Sequence, residues 1–396
     1  MNSSTILFLG AAFSQLPAIE YAKKQGYYVI TADYLPNNPG HQISDEYHNI
    51  STVNKEEMLE LAKKIQIDAI SAYASDPSAL TAAYISDNLR LIGGFYPAVE
   101  ILSIKNLFRQ KLKENNYNTP WFVYGSKLEE LLKKYNGQKA VLKPVDSSGS
   151  KGIYVINDFR DLQVHFEDAK NYSVSGKVIL EQFIDRKGPQ IHGEGFVVDG
   201  EIIFLLLGDQ YFSPVNNLVP YSTVVPGYFH SQLIINEARK IVESFIKLIR
   251  YRTGGINVEI ICDTNGNLYI LEIGARNGGN FMPQLIKHAT GFDLAQMNVD
   301  ALFHKAIDKC QKNIIGRHAQ IILHSDRDGV FKQINIPSEL KNNIVEEHLY
   351  YKPGEIVNKY NNSKNVVGIF ILKIENENDL NIYLQSLKNH TWVMLE

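Results

Sequence analysis

Between Gly254 and Gly274 the chain runs in β-branched and apolar residues on either side of Asn265-Gly266. Asn-Gly flanked by such runs is the strongest short-range signal for a two-residue hairpin turn. The turn fixes more than a bend. It places Glu259, six residues before Asn265, directly opposite Glu272, six residues after Gly266, on one face of the sheet. Two carboxylates about 5 Å apart at Cβ repel and weaken a sheet. A hard divalent cation between them reverses the sign, because Mg²⁺ seeks carboxylate oxygens and shares its other sites with phosphates. A solvated hairpin whose glutamates splay into water is the plain alternative. Arg276 and Gly278-Gly279, just beyond, tilt the reading toward a metal site.

Composition narrows the remaining classes. At 396 residues the chain has length for two or three domains and a real core. A formal charge of −3 provides no long-range field for nucleic acid or an acidic membrane surface, so neither is expected as a partner. No apolar run approaches a membrane span, and Met1-Asn-Ser-Ser-Thr leads into a strand without a basic leader. Two cysteines, Cys262 and Cys310, make no disulfide framework, which suits a reducing, cytoplasmic setting. Cys262 lies three residues after Glu259 and therefore points to the opposite, core-facing side of the strand.

The first hundred residues alternate strand and helix patterns: strands at Ile6–Leu9, Tyr27–Ala32 and Asp68–Tyr73, helices through about Gln25, at Lys55–Ile65 and around Ser78–Ser86. That alternation implies a parallel, doubly wound sheet whose ligands bind at the loops after Leu9, Ala32 and Tyr73. The Gly10 loop has one glycine where a dinucleotide fingerprint wants three. A helix follows at Ile104–Asn115, with Lys105 and Arg109 four residues apart, and Thr119-Pro120 opens a second unit. In that unit Lys143 closes an apolar strand and is followed by the Ser/Gly loop Asp146–Gly152. Such a loop can turn its amides inward on an anion, with lysine adding a point charge. Glu181-Gln-Phe-Ile184 ends another apolar strand, where free backbone groups could pair with a base. Asp199-Gly200 marks a second hairpin, and Asn236–Arg250 is amphipathic.

Each signal is loose alone; their order is specific. Lys105, Lys143 with its loop, Glu181-Gln-Phe-Ile184, then Glu259, Glu272 and Arg276 resemble the ATP-grasp superfamily over about residues 1 to 310. The resemblance implies an α/β and α+β fold in three parts. These are a doubly wound N-terminal domain (1–103), a two-lobed ATP-grasp core (104–310, with a lid at about 120–186) and a small C-terminal α+β domain (311–396). It implies that Lys105 and Lys143 meet ATP phosphates beneath a lid containing Ser147, Ser148, Gly149, Ser150 and Gly152. Glu181 would accept from the adenine amino group, with Gln182, Phe183 and Ile184 forming the hinge, and His192 falls at a ribose contact, a surface histidine being the rival reading. Glu259 and Glu272 become Mg²⁺ carboxylates, with Mn²⁺ able to substitute, and Arg276 steadies substrate and intermediate.

One departure stands out. Relatives carry Glu-x-Asn, the Asn being a third metal ligand, whereas Gly274 occupies that place. The hairpin register sets Asn257 opposite Gly274, so Asn257, or failing that Asn277, is expected to supply the oxygen. Glu272-Ile-Gly-Ala-Arg-Asn-Gly-Gly is most similar to the amino-acid-ligase branch. The resemblance then implies an enzyme that activates a small carboxylate, an amino acid first among candidates, as an acyl phosphate and joins it to an amine, releasing ADP and phosphate. Lys143 and Arg276 would be its catalytic cations, small molecules its partners, and a homodimer is compatible with it. The alternatives are a bicarbonate-activating carboxylase of the purine-pathway or carbamoyl-phosphate type, and a non-enzymatic ATP binder.

Overall fold

The structure, a computed structural model, describes residues 3–214, 218–307, 314–360, 365–389 and 392–396. Cys310 and the expected boundary at 310/311 lie outside the described residues.

The N-terminal part is a four-stranded parallel sheet in the order Glu46–His48, Tyr28–Ala32, Thr5–Leu9, Ala69–Ser71. The short edge strand Glu46–His48 carries no hydrophobic run and left no signal in the sequence. Helix Lys55–Ile65 has the expected bounds, capped by Asn54 accepting from the Glu57 amide. The helix after the third strand is longer than expected, Asp76–Leu89, because Pro77 suits the first turn of a helix.

A second, antiparallel sheet orders Phe122–Gly125, Val178–Gln182, Ala140–Pro144 and Tyr154–Ile156, backed by helices Leu128–Leu132 and Phe159–Asn171. Its core is compact and separate, built on Leu142, Leu162, Phe166 and Leu180.

The largest element is an eight-stranded antiparallel sheet. It runs Leu268–Gly274, Gly254–Cys262, Gln190–Val198, Glu201–Phe212, Pro220–Val225, Arg317–Leu323, Gly368–Ile374, Ile344–Leu349. Strands expected in the small C-terminal domain extend the core sheet: Ser222 pairs with Ile321, and Ile321 with Phe370. One face is covered by helix Gln232–Ile249, started by Ser231 accepting from the Ile234 amide. Cys262 is buried in that core, on the side away from Glu259 as strand alternation requires. Among the described residues no helix is long and apolar enough to cross a membrane.

The opening hairpin forms with Glu259 opposite Glu272 and Asn257 opposite Gly274, but by another route. The turn is not a two-residue loop on Asn265-Gly266. Asp263 accepts the Gly266 amide at 3.0 Å, its carboxylate takes the Asn265 and Asn267 amides, and Gly266 sits at φ +87°. The near strand residues then pair one position off, Cys262 with Leu268 and Ile260 with Ile270. A β-bulge at Leu271 absorbs the difference and restores the glutamate pair.

Candidate active site

The two smaller sheets and the large one enclose a cleft of about 640 Å³. It is lined by Lys105, Lys143, the Ser147–Ser150 loop, Glu181 to Ile184, His192, Asn257, Glu259, Glu272 and Arg276, together with Asp76, Gly278 and Gly279. Residues more than 150 positions apart thus meet in one place. Of the expected site residues, Gly152 and Asn277 are not part of this lining.

On the lid sheet Val141 pairs with Glu181, so Lys143, two residues on, shares their face as a diagonal neighbour. Lys143 Nζ is ion-paired with Glu181. Arg109, from helix Lys105–Glu114, reaches the same carboxylate with Nε at 2.9 Å and Nη2 at 3.4 Å. Burial pushes the Glu181 carboxyl up, but Arg109 and Lys143 outweigh it and hold it down at about 2. Burial, against the pull of Glu181, lowers the Lys143 ammonium below its ordinary value. This corrects the expectation for Glu181: its carboxylate is the counter-ion of two cations, not an acceptor turned to a base. Arg109, in the sequence only a residue on a helical face, is the buried cation behind it. The Gln182 and Phe183 amides are taken by Trp121 and Lys139 carbonyls. Among the described residues the Ile184 amide makes no backbone hydrogen bond. Lys139 Nζ lies 3.8 Å over the Phe183 ring.

The lid loop is tied at its start. Lys105 Nζ donates to the Ser147 carbonyl at 2.7 Å, and Asp146 accepts from Ser173 Oγ and the amides of Val174 and Ser175. Beyond these ties Gly149, Ser150 and Gly152 all take positive φ. At Gly152 a Cβ would stand 2.8 Å from the Tyr172 ring, so this glycine packs the loop against its helix instead of lining the cleft.

Across the cleft the register extends to a third strand, where Glu259 faces His192 and Asn257 faces Glu194. The Glu259 carboxyl is raised, first by burial and then by Glu272, while Arg276 and the Gln190 amide at 3.1 Å oppose the shift. His192 is neither at the surface nor free for a ribose: Nε2 accepts from Asn257 Nδ2 at 2.9 Å, and Nδ1 bonds Thr223 Oγ1 at 3.2 Å. Burial lowers it to about 4, so it is a neutral prop under the hairpin. Asn257 Nδ2 also donates to Glu194 at 2.6 Å. With its nitrogen engaged twice, its Oδ1 has no partner among the described residues, as a ligand oxygen beside the glutamates requires. Asn277 also donates to Glu194, at 3.2 Å, and leaves Oδ1 without a partner among the described residues, but it is fully buried against Gly255 and does not line the cleft.

Glu194 is the group sequence reasoning missed. Fully buried, it accepts from Asn257, Asn277 and the Gly278 amide at 2.8 Å, and burial still pushes it up to about 7. A carboxylate between two glycines in a strand that ends Phe196-Val-Val198 was the available signal. It also explains Gly278, where a Cβ would collide with Glu194 Oε1.

Arg276 is held by Asp76 through two bonds of 2.6 Å, Nε to Oδ1 and Nη2 to Oδ2. Burial lowers its basicity, yet Asp76 outweighs that and the net shift is upward. Its Nη1 is buried with no hydrogen-bond partner. A Cβ on Gly274 would stand 3.1 Å from the Arg276 Cζ. The guanidinium therefore occupies the space a side chain at 274 would need, which accounts for glycine there.

Whether the residues fit Mg²⁺ rests on this donor set. Among the described residues no group of three or more His, Cys, Asp or Glu could hold a metal ion. Two hard carboxylates and one amide oxygen in a buried pair match a cation that completes its shell on phosphates.

The comparisons with known proteins agree with the geometry. Residues 102–280 match the ATP-grasp domain family. That match makes the central part of the chain an ATP-grasp domain. An L-arginine-specific L-amino acid ligase of Bacillus subtilis is 23% identical over 361 residues, covering 87% of this chain and 84% of its own. A formate-dependent phosphoribosylglycinamide formyltransferase of Methanocella arvoryzae is 25% identical over 187 residues, 46% of this chain and 44% of its own. The crystal structure of an L-amino acid ligase from Bacillus licheniformis superposes with a TM-score of 0.82 at 18% identity, covering 100% of both chains. That superposition includes the C-terminal strands, in agreement with the continuous sheet.

Proposed function

We propose that this chain is an ATP-dependent carboxylate–amine ligase that activates a small carboxylic acid, an amino acid first among candidates, as its acyl phosphate. It is an enzyme, and its relatives of known activity include ligases that form C–N bonds. The observation that carries the finer reading is Arg276 Nη1, a buried donor without a partner, set beside the Glu259–Glu272 pair and the Gly278-Gly279 backbone. A buried unpaired donor costs about 1–3 kcal/mol, and an oxygen anion in the cleft removes that cost. No atom lies within 4 Å of a Cβ built on Gly279, so a ligand carboxylate has room to approach there.

The reaction assigned to the cleft has two steps. A carboxylate oxygen attacks the γ-phosphorus of ATP and ADP leaves; an amine then attacks the acyl carbon, loses a proton and expels phosphate. Glu259, Glu272 and Asn257 would hold Mg²⁺, or Mn²⁺ in its place, which supplies charge neutralisation at the β- and γ-phosphates. Lys105 and Lys143 add positive charge from the lid side. Arg276 stabilises the oxyanion of each step, a role typically worth about 3–4 kcal/mol. The loop Ser147–Gly152, tied through Lys105, excludes water from the acyl phosphate.

The test is a screen of amino acids against amine acceptors for ADP and phosphate release. Release that needs both an acid and an amine supports the ligase. Release that needs bicarbonate instead would transfer the chain to the carboxylase reading.

A further inference from the structure

Arg276 reaches the cleft from the large sheet, yet what fixes its guanidinium belongs to the N-terminal domain. Asp76 opens helix Asp76–Leu89, where an aspartate ordinarily serves the helix by facing its free amides. Here the carboxylate turns away and grips Nε and Nη2 of a residue 200 positions later, both at 2.6 Å. The approach is held by unfavourable backbone: Ala74, which also lines the cleft, sits at φ +54°, a left-handed conformation costly for a residue with a Cβ. A planar group held at two of its three nitrogens has one orientation left. In it Nη1 is the unpartnered atom.

The alternative partners of Arg276 are close. Glu272 shares the cleft face with Gly274, over which the guanidinium lies with Cζ 3.1 Å from the position of a Cβ. Of the two other carboxylates whose charge acts on Arg276, Glu194 is already bonded to Asn257, Asn277 and the Gly278 amide, so without Asp76 the compensation for the buried guanidinium falls to Glu272, and that removes one of the two carboxylates from the metal clamp.

We propose that Asp76 is a positioning residue, contributed by the N-terminal domain, that holds Arg276 off Glu272 and so keeps the divalent-cation clamp intact while aiming Nη1 into the cleft. The inference rests on the ligase reading for what Nη1 meets, but not for the competition with Glu272. Partners one step removed from a metal's ligands commonly change its affinity 10–100-fold when mutated.

The test is Mn²⁺ binding with ADP present, followed by electron paramagnetic resonance, on the full chain and the variants Asp76→Asn, Arg276→Ala and the double variant. Asp76→Asn is expected to weaken Mn²⁺ binding roughly tenfold. Arg276→Ala leaves no cation to swing, so Asp76→Asn added to it should change nothing further. Asp76→Glu, which keeps the charge, should recover part of the loss. Thermal melting checks that each variant folds. Equal Mn²⁺ affinity in wild type and Asp76→Asn overturns the proposal, as does an unchanged effect of Asp76→Asn in the Arg276→Ala background. In parallel, hydroxylamine in place of the amine traps an acyl phosphate as its hydroxamate. A wild type that forms none with any amino acid counts against the ligase reading alone, since the Mn²⁺ arm decides Asp76 without it.

Discussion

Asn257 is the residue on which the proposed metal site turns. Its nitrogen is spent on His192 and Glu194, so only its oxygen is left for a cation. Asn257→Ala should raise the Mg²⁺ concentration for half-maximal ATP turnover roughly tenfold; an unchanged Mg²⁺ profile would remove Asn257 from the ligand set. Gly274→Asn, which restores the residue relatives carry, should lower turnover instead of improving it. The new side chain meets the Arg276 guanidinium, so the loss should appear in kcat with nucleotide affinity retained. The buried acids also predict a pH dependence of stability. Glu194 is pushed up to about 7 and Glu259 is raised as well. Both hold a proton in the folded state where the unfolded chain has lost it, so their contribution is complete below the ordinary glutamate range and fades as pH rises through the raised values. Buried neutral His192, lowered to about 4, acts in the opposite sense up to the ordinary histidine value, so melting of the metal-free protein should drop between about pH 6.5 and pH 8, and Mg²⁺ should flatten the slope through Glu259. A metal-free melting temperature that climbs across that window would contradict the burial of these acids.

At the scale of elements, the hairpin shows how far local rules reach. The alternation of Gly254–Cys262 and the glutamate pairing were legible, because period two ties side-chain direction to sequence position. The turn was not. Asp263 competes for the same amides through its side chain, moves the turn one residue toward the N-terminus, and the bulge at Leu271 compensates. Two departures from the simple rule cancel at Glu259 and Glu272. The lid is the other element with a sharp consequence. Gly152 combines φ +67° with the Tyr172 ring where a Cβ would go. Gly152→Val should therefore disorder the loop and cut ATP turnover by at least tenfold, while Mn²⁺ binding at the hairpin in the absence of nucleotide stays within twofold. Loss of both would place Gly152 in global folding, not in the lid.

Across the whole molecule, the eight-stranded sheet makes the C-terminal strands part of the core. Arg317–Leu323 lies between Pro220–Val225 and Gly368–Ile374, so removing it exposes an open, apolar strand edge. A chain ending before residue 314 should aggregate, and the intact chain should lose the far-ultraviolet signal and the environment of buried Trp392 in one denaturant transition. Separate transitions would show the tail to be an independent unit.

Sequence by itself determined what depends on near neighbours: the parallel N-terminal sheet, the hairpin face, the Ser/Gly loop, and the order of charged residues that resembles the ATP-grasp pattern. Short-range periodicity and turn chemistry act over a few residues, so they can be read without knowing the fold. Only the tertiary structure decided who faces whom across domains. The grip of Asp76 on Arg276, the pairing of Arg109 and Lys143 on Glu181, the neutral His192 and the hub at Glu194 all join distant segments. Burial makes each of those contacts strong, and burial is a property of the packed molecule that no local pattern carries.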